Sequence, residues 1–482
     1  MLFNSLSFLV FFPCVLVLYY ALPFRMRKLM LLIASYYFYM CWKPEFIVLI
    51  LFSTVVDYCC GLGMARWPGR RKLLLAVSLT MNLGLLFFFK YLNFFGETLT
   101  AFCRAVSIPF SAPTLNIILP VGISFYTFQT LSYTLDIYKG RLEPERDFVT
   151  FALFVSFFPQ LVAGPIEKAS NLLPQLKTEH RFDYKTVTWG AKRMVWGFFK
   201  KMVVADQLAV LIVDPVYQDP DLYQGGALVL ATFAFAVQIY CDFGGYSDIA
   251  RGCAQMMGVR LMANFRNPYF AGSVTEFWRR WHISLTGWFR EYVYIPLGGN
   301  RKGAAKKCLF VLITFTLSGL WHGADWTFVL WGVLYALIMD LEFLWSRRFP
   351  AGKRGAAVRV LQCIVTFLVV SALWIFFRAA GLSDALYILR HAAWGIGEPV
   401  QYVRTALSAL DPGPRETALL AGALLLLFVY DLADERGDAI ALVSGAPAAV
   451  RWACYLAVVL TVLIFGVYGP GYDVRAFAYF DF

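Results

Sequence analysis

Two apolar runs meet at a single histidine in LFVLITFTLSGLWHGADWTFVLWGVLYALIMDLEFL, residues Leu309–Leu344. Both runs have the composition of membrane-spanning helices, and only a short polar segment separates them. An ionisable side chain at membrane depth is costly, so His322 is by default a functional-site candidate. Desolvation should keep its imidazole neutral and able to take a proton from a hydroxyl. The alternative is a core histidine that is hydrogen-bonded to a backbone carbonyl.

The composition of the whole chain agrees with a bilayer as its solvent. Of 482 residues, 60% are hydrophobic and only 15% are charged, which excludes a water-soluble domain of this size. We expect about ten to twelve spanning segments. The apolar runs that predict them are Phe8–Leu22, Phe46–Leu62, Leu73–Phe95, Leu115–Leu135, Ala227–Tyr240, Leu309–Trp321, Trp326–Leu344, Val360–Phe377, Ala418–Tyr430 and Cys454–Tyr468.

The basic residues predict how the chain crosses the membrane. They cluster in short loops at 25–28, 66–72 and 139–146, and two predicted crossings separate each cluster from the next. Since such clusters stay cytoplasmic, the N-terminus should lie outside. The first run has no basic flank before it and no small-residue cleavage site after it, so we interpret it as a spanning helix and not as a signal peptide. The net charge of +12 then reflects loop charge and not a nucleic-acid partner.

We predict one membrane domain over residues 1–482, with a core of about 1–346 and C-terminal helices over about 352–482. Two stretches, 136–187 and 242–301, are too interrupted by Pro, Gly and charge to face lipid as spanning helices. We expect them to form interfacial or re-entrant segments, where substrates often bind in membrane proteins. The ten cysteines have no CxxC spacing, so neither a disulfide framework nor a metal site is predicted.

A second histidine lies in FWRRWHISLTGWFREY, residues Phe277–Tyr292. On a continuous helix, the tryptophans would form an apolar stripe, and Arg279, His282 and Arg290 would share a separate polar face. This pattern predicts an interfacial amphipathic helix. Its arginines could meet lipid phosphate or the phosphates of a nucleotide-like acyl donor, or could simply anchor the helix in the membrane.

A third polar cluster follows an apolar run in VQIYCDFGGYSDIARG, residues Val237–Gly252. Asp242 could orient a histidine ring or pair with an arginine. The adjacent glycines, Gly244 and Gly245, would permit a sharp break in the helix. The remaining histidines, His180 and His391, lie in polar stretches and are interpreted as loop residues. No GxSxG elbow is present, so direct attack by an acceptor hydroxyl is favoured over a serine nucleophile.

Several further motifs occur in one order along the chain: LPVGISFYTFQTLSYTLDIYKG at Leu119–Gly140, FFPQLVAGPIEK at Phe157–Lys168, NFRNPYF at Asn264–Phe270, YIPLGGNRKG at Tyr294–Gly303, and the tail FAYFDF. With the two histidine segments, they resemble the membrane-bound O-acyltransferase superfamily, and within it the bacterial alginate O-acetyltransferase membrane-subunit group. The resemblance implies an all-α bundle of tilted helices around a central channel, in the bacterial inner membrane.

The resemblance also implies roles for particular residues. His322 would be the histidine at the centre of the channel, and His282 would be the second family histidine. We expect substrate contacts from a wider set: Asp242, Tyr246, Ser247, Asn264, Arg279, Arg280 and Trp321. The basic residues Arg301, Lys302, Lys306 and Lys307 would suit a CoA phosphate or an acidic carrier protein, unless they are only cytoplasmic loop charge.

By the same resemblance, no cofactor is permanently bound. The donor would be acetyl-CoA or an acyl-carrier thioester, and the acceptor an exported polysaccharide or an extracytoplasmic acetyltransferase partner. Two alternatives remain open at the level of sequence. One is D-alanyl transfer to teichoic acid from a carrier protein. The other is a polysaccharide or lipid transporter, because interrupted helices also occur on transport pathways.

Overall fold

A computed structural model describes residues 1–349, 355–410 and 413–468. Within those ranges the chain is all-helical and contains no β-strand. The predicted aromatic tail, FAYFDF, lies outside the described residues. Two compact units can be distinguished: Met1–Ala191 with Ala250–Met262 and Gly323–Asp325, and a second unit of Lys192–Ile249, Ala263–His322 and the described residues from Trp326 onward. The single-domain organisation stays a prediction.

The first unit is built from the last residues, Ala250–Met256, of a helix that lies mostly in the second unit and from ten other helices or parts of helices. They are α1 Leu6–Ala21, α2 Phe24–Met40, α3 Ile47–Arg66, α4 Arg71–Leu86, α5 Leu92–Ala105, α6 Ile123–Tyr138, α7 Phe148–Ser156, α8 Phe158–Leu161, α9 Ala169–Leu176 and most of α10 Tyr184–Phe198. Short 3-10 turns at Pro44–Phe46 and Pro68–Arg70 and a π-helical turn at Phe87–Tyr91 interrupt this series.

The second unit contains the predicted histidine segments. Its helices are α11 Asp206–Leu208, α12 Asp214–Gln218, most of α13 Gly226–Met256, α14 Val274–Arg280, α15 Ile283–Phe289, α16 Ile295–Leu297, α17 Ala304–His322, α18 Trp326–Arg348, α19 Ala356–Arg378, α20 Leu382–His391, α21 Pro399–Leu410, α22 Pro414–Arg436, α23 Ala439–Gly445 and α24 Ala448–Phe465. Its π-helical turns are Phe199–Ala205, Ala209–Val213 and Arg290–Tyr294, and its 3-10 turns are Pro220–Leu222, Pro268–Phe270 and Gly299–Lys302.

All ten apolar runs overlap helices, which confirms the all-α membrane fold. Eight helical segments in the described part are long and apolar enough to cross a bilayer: Pro44–Arg66, Pro68–Ala105, Gly226–Met256, Ala304–His322, Trp326–Arg348, Ala356–Arg378, Pro414–Arg436 and Ala448–Phe465. Helix α1 is apolar but shorter, at 16 residues. The run that starts at Leu115 becomes helical only at Ile123, because Pro120 and the left-handed Gly122 delay the helix.

The hairpin of α17 and α18 places His322. The two helices approach each other at Gly319 and Gly332, where their backbones are almost in contact. A Cβ on Gly319 would lie 2.2 Å from the Phe328 carbonyl oxygen, and one on Gly332 would lie 2.2 Å from the Phe315 carbonyl oxygen. Only glycine permits so close an approach. The hairpin therefore holds the end of α17 firmly against α18.

Candidate active site

His322 is the last residue of α17, and only 5% of its surface is exposed. Its ring lies edge-on to the rings of Trp331 on α18 and Phe377 on α19, with centroid distances of 5.2 and 5.4 Å. These neighbours are themselves buried. The imidazole therefore occupies an aromatic, poorly solvated environment, as the sequence predicted.

His282 lies at a break in the chain, and the prediction of a continuous amphipathic helix over this segment was wrong. Helix α14 ends at Arg280 and α15 begins at Ile283. Trp281 is extended, and His282 has a left-handed backbone with φ of 42°. A left-handed conformation is uncommon for a residue other than glycine and marks a position that the surrounding structure enforces. The break turns His282 inward, where it is completely buried.

Asn264 holds this break in place. Its carbonyl oxygen accepts from the Ile283 amide at 2.9 Å, and its side-chain Oδ1 accepts from the Ser284 hydroxyl at 2.6 Å. Its Nδ2 donates to the Ser247 hydroxyl on α13 at 3.1 Å. Asn264 and Ser247, both predicted as substrate contacts, therefore connect the segment before α14, the start of α15 and α13. Their observed contacts support His282 structurally.

The two candidate histidines lie close together although 40 positions separate them in sequence. Their ring centroids are 6.3 Å apart. Phe243 and Trp321 pack against His282, with centroid distances of 4.7 and 6.1 Å. Burial lowers the pKa of His282 to about 3, so its imidazole is neutral at physiological pH. The site thus holds two buried imidazoles within an aromatic enclosure.

Asp242 pairs with a lysine, whereas the sequence had suggested a histidine or an arginine. Its Oδ1 lies 2.6 Å from the Lys201 ammonium, which also contacts Asp206 at 2.8 Å. All three side chains are nearly fully buried. Lys201 lies in the π-helical turn Phe199–Ala205, a rare conformation that is frequent at functional sites. Buried charges persist when they are paired in this way.

The glycines after Asp242 do not break the helix, because α13 continues to Met256. They allow close packing instead. A Cβ on Gly245 would lie 2.7 Å from the carbonyl oxygen of Gly197 and 2.9 Å from the amide nitrogen of Lys201, whereas one on Gly244 would have ordinary contacts. The close approach at Gly245 is what brings the π-helical turn and its lysine against α13.

Sequence reasoning did not identify the lysines of this turn. Lys200 contacts Asp248 at 3.0 Å, next to the Lys201 pair. The signal was two lysines within the aromatic and apolar run WGFFKKMVVA, where solvated charge is unexpected. Tyr246, a predicted contact residue, is also buried on α13, with 3% of its surface exposed.

A large cavity of about 1710 Å³ lies beside the histidines in the second unit. One wall is a face of α17, on which Lys307, Thr314 and Ser318 line the cavity. His322 follows Ser318 by four residues and so continues the same helical face. Trp278 of α14 lines it too, next to Phe315 of α17. The cavity therefore runs along the helix that ends at His322, and His322 is not among its lining residues.

The predicted arginines divide between two roles. Arg279 lines the cavity, together with Arg290 and Arg348. In the described ranges, no carboxylate lies within salt-bridge distance of these three guanidinium groups. Arg280 instead contacts Glu276 and Glu435, each at 2.8 Å. Arg280 is thus a structural link, whereas Arg279 is available to an anionic ligand.

The other two histidines make local contacts. The His180 ring contacts the Gln175 carbonyl oxygen at 3.0 Å within the first unit. His391 is the last residue of α20, so the prediction that it lies in a loop was wrong. Its ring stacks on Tyr387 with a centroid distance of 4.0 Å. Each contact is with a residue four or five positions earlier in the chain.

A pair of buried histidines in an all-helical membrane fold agrees with the membrane-embedded acyltransferase that the sequence predicts. The chain matches the MBOAT, membrane-bound O-acyltransferase, family over residues 145–380. A probable alginate O-acetylase of Azotobacter vinelandii is 38% identical over 93% of this chain and 88% of its own length. A peptidoglycan O-acetyltransferase of Helicobacter pylori is 34% identical over 75% of this chain and 73% of its own length.

The chain therefore belongs to the membrane-bound O-acyltransferase family, and it is an O-acyltransferase. This membership confirms the resemblance and does not support the transporter alternative. A teichoic acid D-alanyltransferase of Bacillus subtilis is similar too, but it is 25% identical over 53% of this chain and 67% of its own length. The greater similarity is to the O-acetylating relatives.

Proposed function

We propose that this protein transfers an acetyl group from acetyl-CoA, on the cytoplasmic side of a bacterial inner membrane, to a hydroxyl of an exported polysaccharide or of an extracytoplasmic partner protein. The observation that carries the proposal is the pair of buried histidines, 6.3 Å apart, beside a large cavity with unpaired arginines. The names of the O-acetylating relatives support acetyl as the group that is moved.

In the proposed mechanism, His322 is the general base. Its neutral imidazole accepts the proton of the acceptor hydroxyl as that oxygen attacks the thioester carbonyl carbon. The new C–O bond forms, the C–S bond breaks, and the leaving thiolate takes the proton back from the imidazolium. Burial favours this cycle, because an imidazole without bulk water around it is held neutral before the attack.

In this proposal His282 assists His322 in the transfer step. The ring centroids of the two histidines are 6.3 Å apart. The lowered pKa of His282 keeps it uncharged throughout the cycle, so it acts as a hydrogen-bonding group and not as a second cation. The arginines Arg279, Arg290 and Arg348 would meet the phosphates of the donor, since guanidinium groups bind phosphate through paired hydrogen bonds. D-alanyl transfer from a carrier protein is the weaker candidate, in line with its lower similarity.

Membranes that carry the wild type should transfer radiolabelled acetyl from acetyl-CoA to an envelope acceptor. His322→Gln should reduce the rate by about a hundredfold or more, because the general base is lost. His391→Gln is the matched control, because the ring of this histidine stacks on Tyr387 of its own helix, and it should retain the wild-type rate. Expression and detergent-stable folding are compared for all three proteins.

Equal labelling by wild type and folded His322→Gln would remove His322 from the chemistry. Labelling from a D-alanyl carrier protein, with none from acetyl-CoA, would replace the proposed donor. Labelling that appears only after an extracytoplasmic acetyltransferase is added would identify the partner protein as the immediate acceptor.

A further inference from the structure

Helix α24 has an apolar surface that the described part of the chain leaves uncovered. It is one of the eight segments that are long and apolar enough to cross a bilayer, and each of its residues is at least partly exposed. The aliphatic side chains that are half exposed or more include Leu456, Leu460, Leu463 and Ile464. In a bilayer, side chains of this kind contact the acyl chains of lipids. We therefore expect lipid molecules to cover this helix.

A cluster of basic and hydroxyl side chains lies at the N-terminal end of α24. This basic cluster consists of Lys192 of α10, Ser444 of α23, and Arg451 and Tyr455 of α24, all in the second unit. The Lys192 ammonium donates to the Ser444 hydroxyl at 2.8 Å and lies 4.9 Å from the centre of the Tyr455 ring. The hydroxyls of Ser444 and Tyr455 are 3.0 Å apart. The Arg451 guanidinium donates to the Ser444 carbonyl oxygen at 3.4 Å. Three helices thus bring two cations and two hydroxyl groups together.

The charge of the basic cluster is positive. Among the residues that the structure describes, no carboxylate lies within 4 Å of the Arg451 guanidinium. The carboxylates next to α23 make other hydrogen bonds. Asp438 accepts from the Ala441 amide at 3.0 Å, and Asp434 accepts from the Ala439 amide at 3.3 Å. The cluster is therefore suited to an anion.

The basic cluster also has the features of a membrane interface. Its four side chains are half-buried, so they are neither in the protein core nor fully in solvent. The exposed ring of Trp452 lies edge-on to that of Tyr455, with a centroid distance of 6.0 Å. Tryptophan and tyrosine are enriched at the level of the lipid headgroups, because their rings are amphipathic. This end of α24 is thus placed where headgroup phosphates occur.

We propose that the basic cluster binds the phosphate of an anionic phospholipid, whose acyl chains lie along the exposed aliphatic side chains of α24. Guanidinium and ammonium groups form charge-assisted hydrogen bonds with phosphate oxygens, and hydroxyl groups can donate to them as well. Basic pockets between membrane helices recognise anionic headgroups in this way. A soluble phosphate has the same oxygens, but only a lipid also covers the apolar surface. The lipid site goes beyond acyl transfer and does not depend on it.

A lipid at this position would hold α24 on the part of the chain that carries the buried lysines. The other end of the helix already contacts that part. The Phe465 carbonyl oxygen accepts from the Gln207 side chain at 3.0 Å, and the Val467 amide donates to the carbonyl oxygen of Met202 in the π-helical turn at 3.1 Å. A ligand that binds only the folded state stabilises it by mass action. The bound lipid should therefore raise the melting temperature.

The test is a lipid titration of the detergent-purified protein, followed by native mass spectrometry. Phosphatidylglycerol is the anionic probe, and phosphatidylcholine with the same acyl chains is the zwitterionic reference. We expect Arg451→Gln and Lys192→Gln each to weaken phosphatidylglycerol binding about fivefold, which is the usual contribution of one basic residue near an anionic headgroup. Arg451→Lys keeps the charge and should stay within twofold of the wild type. Arg404→Gln, which alters an exposed arginine of α21, is the matched control and should not change the affinity.

Thermal unfolding checks the folding of each variant and gives a second measurement. Phosphatidylglycerol should raise the melting temperature of the wild type and of Arg404→Gln more than that of Arg451→Gln. Equal affinity of the wild type for the two lipids, or of the wild type and Arg451→Gln for phosphatidylglycerol, would overturn the proposal. Displacement of the bound lipid by glycerol phosphate at the same concentration would assign the cluster to a soluble phosphate instead. If Lys192→Gln does not fold, the comparison of Arg451→Gln with Arg451→Lys decides.

Discussion

His282 is a completely buried imidazole, and its ionisation links protein stability to pH. Burial lowers its pKa to about 3 in the folded protein, whereas an unfolded chain has a histidine pKa of about 6.5. The unfolded state therefore binds a proton more readily, and stability is lost as the pH falls below about 6.5. The effect is about 1.4 kcal/mol per pH unit, so about 2 kcal/mol is lost by pH 5.

We expect His282→Gln to lose less thermal stability than the wild type when detergent-solubilised protein is moved from pH 8 to pH 5. Glutamine does not titrate, so the contribution of about 2 kcal/mol should disappear from the variant. Thermal unfolding, monitored by tryptophan fluorescence at both pH values, measures this difference in stability. Identical acid sensitivity in the two proteins would mean that His282 is not the buried titrating group described here.

The buried ion pairs of Lys201 lead to a second prediction, about stability. Lys201→Met would leave Asp206 and Asp242 buried without the ammonium that they share. Removing one partner of a buried ion pair costs about 3–5 kcal/mol. Lys28→Met removes an exposed pair with Asp147 and should cost about 1 kcal/mol or less. The melting temperatures of the two variants are to be compared, and equal losses would contradict the buried pairing.

At the scale of elements, the packing of α13 against the π-helical turn depends on one of two adjacent glycines. Gly245→Ala would place a methyl group 2.7 Å from the Gly197 carbonyl oxygen, so the elements must move apart. Overpacking of this kind costs about 1–3 kcal/mol. Gly244→Ala should be tolerated, since its Cβ would have no heavy atom closer than 3.6 Å.

Thermal unfolding of the two alanine variants in detergent measures this difference, and acetyl transfer provides a second measurement. Because the turn at Phe199–Ala205 carries Lys201, we expect Gly245→Ala to lose activity together with stability. Equal stability of the two variants would show that α13 and this turn do not pack as described.

At the scale of the whole molecule, the basic loops predict the orientation in the membrane. Reporter fusions after residues 70 and 146 should have cytoplasmic activity, and a fusion after residue 105 should have extracytoplasmic activity, because positive loops are retained inside. Alkaline phosphatase is active only outside and a fluorescent protein only inside, so the two reporters must give opposite results. The reverse pattern would invert the predicted topology and move the proposed CoA donor away from the cytoplasmic loops.

The sequence by itself determined the fold class and the family, and it predicted the two histidines as site residues. The hydrophobicity of a twenty-residue stretch is a local property, and so are the motifs around His282 and His322. Both features can therefore be recognised from the sequence. The positions of the apolar runs needed little correction, and the later start of α6 at Ile123 follows from a proline and a glycine in the printed sequence.

Only the tertiary structure decided how the site is assembled. Three of its contacts join residues far apart in the chain: the two histidines, whose ring centroids are 6.3 Å apart, Asp242 with Lys201, and Trp278 with Phe315. The break at His282 is also tertiary in origin: local periodicity favoured one amphipathic helix, but hydrogen bonds from Ile283 and Ser284 to Asn264 stabilise a left-handed turn instead. Long-range contacts of this kind outweigh helix propensity, because burial and hydrogen bonding contribute more free energy than the small preferences of single residues.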